Sequence, residues 1–153
     1  MLTRNIGMTF HIDTNRINAK NSLPGMNLLE QWNLDDVIKI DISQVAMNEA
    51  RQGNNKNRNV KTYEYIYTHT HASTTEEQET LRRIQEIVFP TGIKKENENN
   101  DVEIIFNADK YGCILITNDG DSKKQPGGIL GNAKQLEKEL NIKVMSSGEA
   151  VEV

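Results

Sequence analysis

The 153-residue chain has one cysteine, three histidines and three prolines, and only 5% of its residues are aromatic. A lone cysteine, Cys113, excludes an intramolecular disulfide and a cysteine-rich zinc module. It sits inside an apolar stretch and reads as an inert core thiol. His69 and His71 have no cysteine nearby and no third histidine in register, so a polar loop explains them better than a transition-metal site. With so few aromatics the core must be aliphatic. No run approaches the roughly 20 apolar residues that a membrane helix needs, and the first residues, Met1 to Asn5, lack a signal-peptide layout. The expected setting is a reducing cytoplasm with no membrane partner. The stretch from Lys123 to Gly128 lacks the spacing of a phosphate loop, which argues against a nucleoside triphosphatase. Basic residues are outnumbered, 18 against 22 acidic, and the formal charge is -4. A broad basic face for nucleic acid is thereby excluded.

The length suits a single domain spanning 1–153, large enough to bury roughly 70% of its unfolded-chain surface. Met8-Thr9-Phe10-His11-Ile12 alternates apolar and polar and ends at Asp13, which predicts a strand with a carboxylate at its C-terminal end. Helix signals follow at Ser22-Leu23-Pro24-Gly25, a second strand at 37–42, and a helix capped by Ser43 that carries Glu49 near its end. Residues 52–59 are polar and read as a loop. Residues 60–70 are β-prone, either strand or extended loop, with Tyr63, Tyr65 and Tyr67 in alternation. Thr74 or Thr75 with Glu77 starts a helix running to Pro90. The charged segment 94–100 reads as a linker, and a helix is expected from Asp101 to Gly112. Cys113 to Thr117 has no alternation and predicts a strand buried on both faces. A helix over about 130–140 and a strand over 142–145 complete the chain. Strands alternating with helices predict an α/β fold, a three-layer α/β/α sandwich around a mainly parallel sheet.

In such sheets the site lies beyond the carboxyl ends of the strands. Asp13 and the pair Asp119 and Asp121 fall at strand ends, while Glu49 and Asp101 lie on helices that could border the same edge. Each has a bland explanation. Asp13 and Asp101 suit helix caps, Glu49 suits a solvated face, and Asp119-Gly120-Asp121 suits a turn. Their order and spacing together resemble the PIN-domain nucleases, in particular the VapC-type toxins of toxin–antitoxin pairs. The resemblance rests on Ile12-Asp13-Thr14-Asn15, on Glu49, on Asp101-Val102-Glu103-Ile104 with Ala108, and on Thr117-Asn118-Asp119-Gly120-Asp121. It extends to Asn141-Ile142-Lys143-Val144 near the end. Ser122 stands where the family often has an aromatic, and the 60–71 segment has no recognised counterpart.

The resemblance implies a metal-dependent endoribonuclease, with Asp13, Glu49, Asp101 and Asp119 as catalytic metal ligands and Asp121 supporting. Thr117 and Asn15 would hold the Asp13 carboxylate. The cofactor implied is Mg²⁺ or Mn²⁺, the substrate RNA, and the partner an antitoxin protein; a homodimer is compatible with it. Clustered carboxylates repel one another, and a hard divalent cation offsets that cost. Arg51, Lys56 and Arg58 follow Glu49, and Lys123 and Lys124 follow Asp121, so both groups could meet flanking phosphates. The alternative is a catalytically silent PIN-like module that binds RNA or a protein. Without the five acids at 13, 49, 101, 119 and 121 the charge of -4 becomes +1, so the acidic balance is compatible with a nucleic-acid enzyme.

Overall fold

The computed structural model describes residues 9–17, 23–52, 56–62, 65–68, 72–118 and 128–152, with the backbone alone at 58–60 and 66–68. Five strands, β1 (Thr9–Ile12), β2 (Lys39–Ser43), β3 (Ile66–Thr68), β4 (Ile114–Ile116) and β5 (Val144–Met145), form one sheet in the order β3-β2-β1-β4-β5. Every pairing is parallel. The chain builds outward from β1 through β2 to β3, then returns to the other side of β1 for β4 and β5. The reversal falls between β1 and β4, and their carboxyl ends therefore flank the crevice where open α/β sheets bind ligands.

Eight helices among the described residues link and cover the strands: α1 (Pro24–Leu34), α2 (Gln44–Gln52), α3 (Lys56–Lys61), α4 (Thr75–Val88), α5 (Glu96–Lys110), α6 (Gly128–Gly131), α7 (Ala133–Leu140) and α8 (Ser147–Ala150). The result is the three-layer α/β/α arrangement expected of parallel strands joined by helical crossovers. On one face of the sheet Phe10 lies beside Ile40 and Ile114, and Ile12 beside Ile42 and Ile116. On the other, His11 lies between Asp41 and Leu115. Both faces are covered, since Phe10, Ile12 and Leu115 are fully buried and His11 is 1% exposed. The core is aliphatic as expected, with Phe10 and Phe106 as its buried phenylalanines. Among the described residues no helix is long and apolar enough to cross a membrane.

Local sequence signals account for several element boundaries. Ser43 Oγ accepts the Ala46 amide at 3.1 Å and caps α2 as expected. At α4, Thr74 Oγ1 accepts from the Glu77 amide at 3.0 Å while Glu77 Oε1 accepts from the Thr74 amide at 3.2 Å, a complete capping box. Thr74→Ala is expected to lower stability by about 1 kcal/mol, read as a lower urea midpoint with an unchanged slope. Gly25 marks a close approach: a Cβ there would lie 3.1 Å from backbone and side-chain atoms of Ser147, where α1 meets the start of α8, so a larger residue would have to displace Ser147 by a few tenths of an ångström.

Other boundaries differ from expectation. The segment 52–59, expected to be a loop, contains the start of α3. This short helix is held by tertiary ties that periodicity does not reveal. Lys61 pairs with Glu30 of α1 at 2.8 Å, Tyr65 donates to the same carboxylate at 3.2 Å, and Arg51 Nε donates to Thr62 Oγ1 at 3.1 Å. The β-prone stretch after it contributes β3 at the sheet edge, in register with Asp41 to Ser43 of β2. Helix α5 begins at Glu96, inside the expected linker, because Glu98 Oε1 accepts the Lys94 and Lys95 amides at 2.8 and 3.1 Å. Asp101 is therefore an interior residue of α5 and not its cap. The expected C-terminal helix is split into α6 and α7 at Asn132, and Leu23 rather than a side-chain cap precedes α1. Ser22 lies outside the described residues.

Candidate functional site

β1 delivers Asp13 to the carboxyl edge of the sheet with its backbone still extended, and its amide donates to Ile116 of β4 at 2.9 Å. The residue is 4% exposed. Oδ1 accepts the Thr14 amide at 2.7 Å, and Oδ2 accepts the Thr117 hydroxyl at 2.7 Å and the Asn15 amide at 3.3 Å. Three donors around one carboxylate suit its role as an acceptor-only group and fix its plane. Thr117 itself is fully buried and continues β4, with its amide bonded to Met145 of β5 at 3.1 Å.

Asn15 ties the ends of β1 and β4 together. It sits in the 3-10 turn Thr14–Arg16, which Asp13 caps. Its Nδ2 donates to Asp13 and, at 3.3 Å, to Thr117 Oγ1, while its Oδ1 accepts the Asn118 amide at 3.0 Å. Arg16 Nε donates to the Asn15 carbonyl at 3.1 Å and to Oδ1 at 3.3 Å, and its Nη1 reaches Ser147 Oγ at 3.4 Å. The amide orientation is thus set from both sides, and the backbone at Asn118 is held by it.

Glu49 comes from α2 and meets the same edge. The inner side of α2, with Ala46, Met47 and Ala50, is buried, which leaves Glu49 half-buried at the rim. Its Oε1 accepts the Thr14 hydroxyl at 2.7 Å, and its Oε2 accepts Asn100 Nδ2 of α5 at 3.1 Å. Thr14 therefore stands between the two carboxylates, its amide on Asp13 and its hydroxyl on Glu49. Neither Thr14 nor Asn100 is singled out by sequence reasoning. Thr14 is hidden beside a stronger candidate, and Asn100 lies in a stretch that reads as linker.

Asp101, the neighbour of Asn100, is half-buried on α5. Among the described residues no group of three or more His, Cys, Asp and Glu side chains could hold a metal ion, so Asp13, Glu49 and Asp101 do not close such a set by themselves. Asp119, Asp121, Lys123 and Lys124 lie outside the described residues, as do Tyr63, His69 and His71. Of the expected basic contacts, Arg51 is half-buried against Thr62, Lys56 is exposed at the start of α3, and Arg58 lies within α3.

Three titrating groups in or next to the body of the sheet are shifted. Burial pushes the His11 imidazole down to about 4 and the Asp41 carboxyl upward, and burial followed by the charge of Asp41 pushes the Cys113 thiol up to about 11. That shift fits the inert core thiol expected of Cys113, since little thiolate is available at neutral pH. A cavity of about 520 Å³ opens at the opposite edge of the sheet, where β1 and β4 begin, lined among others by Thr9, Asp109, Tyr111, Cys113 and Lys143. It includes none of the residues around Asp13 and Glu49.

No protein-family model matches the sequence, and no curated protein does. Solved structures do resemble the fold. VapBC2 from Rickettsia felis, bound to a DNA fragment from its promoter, is matched over 90% of this chain and 97% of that chain, at 15% identity and a TM-score of 0.55. VapBC-1 from nontypeable Haemophilus influenzae is matched over 92% and 99%, at 16% identity and a TM-score of 0.55. With the strand order, the parallel registers and Asp13 at the β1–β4 switch, these likenesses show that the chain has a VapC-type PIN-domain fold.

Proposed function

We propose that the protein is a divalent-metal-dependent endoribonuclease acting as the toxin of a toxin–antitoxin pair. The observation that carries this reading is the pairing of Asp13 and Glu49 about Thr14 at the sheet's switch point, with Asn15 holding the backbone at Asn118. Asp13, Glu49, Thr14, Asn15 and Thr117, which face one another there, present carboxylate, hydroxyl and amide oxygens, and oxygen ligands fit a hard cation such as Mg²⁺ or Mn²⁺ better than zinc. Asp13, Glu49, Asp101, Asp119 and Asp121 would supply the ligands. A bound cation supplies charge to polarise a phosphate oxygen and ionises water near neutral pH. The chain's own part is to hold Asp13 rigid through Thr14, Asn15 and Thr117, so that no reorientation is needed when a phosphate arrives.

Arg51, Lys56, Arg58, Lys123 and Lys124 would meet the phosphates flanking the scissile bond, which makes RNA affinity fall with salt. The structural neighbours are VapBC complexes, which supports an antitoxin as the protein partner. A single domain over 1–153 and a homodimer fit the same reading.

One observation favours a second reading: the described residues do not by themselves close a group of three or more His, Cys, Asp or Glu side chains that could hold a metal ion. A catalytically silent module that binds RNA or a protein would need no such group. Titrating Mg²⁺ and Mn²⁺ against a mixed RNA pool separates the two. The nuclease reading expects cleavage that EDTA removes and Mn²⁺ restores, with a raised thermal midpoint in the presence of metal. A folded protein that neither cleaves RNA nor responds to divalent ions is the silent module.

A further inference from the structure

Glu49 is reached from two directions by neutral donors. The Thr14 hydroxyl comes from the end of β1 at 2.7 Å, and the Asn100 amide comes from α5 at 3.1 Å, so each carboxylate oxygen has its own donor. A glutamate has three side-chain torsions and would otherwise sample many positions at the rim of the sheet. With both oxygens engaged, its plane is set by two elements far apart in sequence. We infer that Asn100, not the adjacent Asp101, is the residue through which α5 positions Glu49, and that Thr14 is its counterpart on β1; this rests on the proposed reading of Glu49 as a metal ligand.

Charge explains why an amide suits this position. A carboxylate placed against Glu49 would repel it, and a lysine or arginine would neutralise the charge that a cation needs. An amide orients the oxygen and leaves the charge in place. The geometry also depends on α5 starting at Glu96. The capping of Lys94 and Lys95 by Glu98 sets the first turn and hence the direction in which Asn100 points. Asn100 is a positioning residue: it acts on a bound cation only through Glu49.

Asn100→Ala, Glu49→Gln and the double variant, titrated with Mn²⁺ and followed by thermal midpoint, test the inference without an activity assay. The Mn²⁺ concentration giving half the stabilisation is expected to rise about tenfold in Asn100→Ala. In the Glu49→Gln background the same substitution is expected to change it less than about twofold, because the oxygen it orients is already altered. A purely structural role predicts equal shifts in both backgrounds, which overturns the inference. So does an unchanged Mn²⁺ response in Asn100→Ala while the wild type responds, and in that case the nuclease reading survives. A wild type with no Mn²⁺ response overturns the nuclease reading and the positioning role together. Urea midpoints measured without metal confirm that each variant is folded.

Discussion

Asp13→Asn is expected to lower divalent-dependent RNA cleavage by about 10³-fold or more, equivalent to some 4 kcal/mol of transition-state stabilisation, while the protein remains folded. The two effects separate because the substitution keeps the side-chain shape and changes the charge. The native carboxylate accepts the Thr14 amide on one oxygen, and the Thr117 hydroxyl and Asn15 amide on the other. An asparagine can keep its oxygen on the Thr14 amide, and the Thr117 hydroxyl can reverse to accept from the new NH₂ group. The Asn15 amide then faces a donor, so about one hydrogen bond is lost, worth about 1 kcal/mol. Unfolding should therefore shift modestly while cleavage all but disappears. Asp119→Asn is expected to act alike on cleavage. A folded Asp13→Asn protein with wild-type cleavage would remove Asp13 from the chemistry.

The second large effect is on stability and belongs to His11. It lies 1% exposed in the middle of β1, between Asp41 and Leu115, with its ring centre 5.9 Å from that of Tyr111. Burial holds its pKa near 4, against 6.5 for an exposed imidazole. Below pH 6.5 the unfolded chain takes up a proton at this position that the folded chain refuses. Stability therefore falls as pH drops from 6.5 to 4, by about 3 kcal/mol at pH 4. Asp41 and Asp109 work in the opposite sense, since burial raises both carboxyls and folding then favours their protonation. Both are only half-buried, and His11 dominates. Urea unfolding at pH 7 and pH 4 should show this loss in the wild type. In His11→Gln, which has no imidazole to titrate, the drop over the same interval should be about 3 kcal/mol smaller. An equal drop in both proteins would place the acid sensitivity elsewhere.

Much of the architecture is legible in the residues because its signals are local. An unbroken apolar run at Cys113 to Ile116 means a strand covered on both faces, and β4 is fully embedded. Thr74 with Glu77 three residues later specifies the start of α4 by hydrogen bonds that span a single turn. The α3 region shows where local signals run out. Its polar, asparagine-rich sequence has the composition of a loop, yet Lys61 and Tyr65 meet Glu30 across the fold and make a helix the better solution there. His11 is a second case. It occupies the polar phase of an alternating strand, but helices on both sides of a parallel sheet bury that phase as completely as the apolar one.

The site divides in the same way. That Asp13 stands at a strand end follows from the change at Ile12 from β-forming to turn-forming residues, and Asn15 two positions later is a local consequence of the same turn. The sequence alone also determined the aliphatic core, the alternation of strand and helix, and the absence of an intramolecular disulfide. What it could not carry is the partnership of Asp13 with Thr117 across 104 positions, or of Glu49 with Asn100 across 51. Those contacts exist only because β1 and β4 become neighbours when the chain reverses direction in the sheet, and because α5 begins early enough to turn Asn100 toward α2. Periodicity and composition report which face of an element is apolar. Only the order of strands in the closed sheet decides which polar groups meet at its edge.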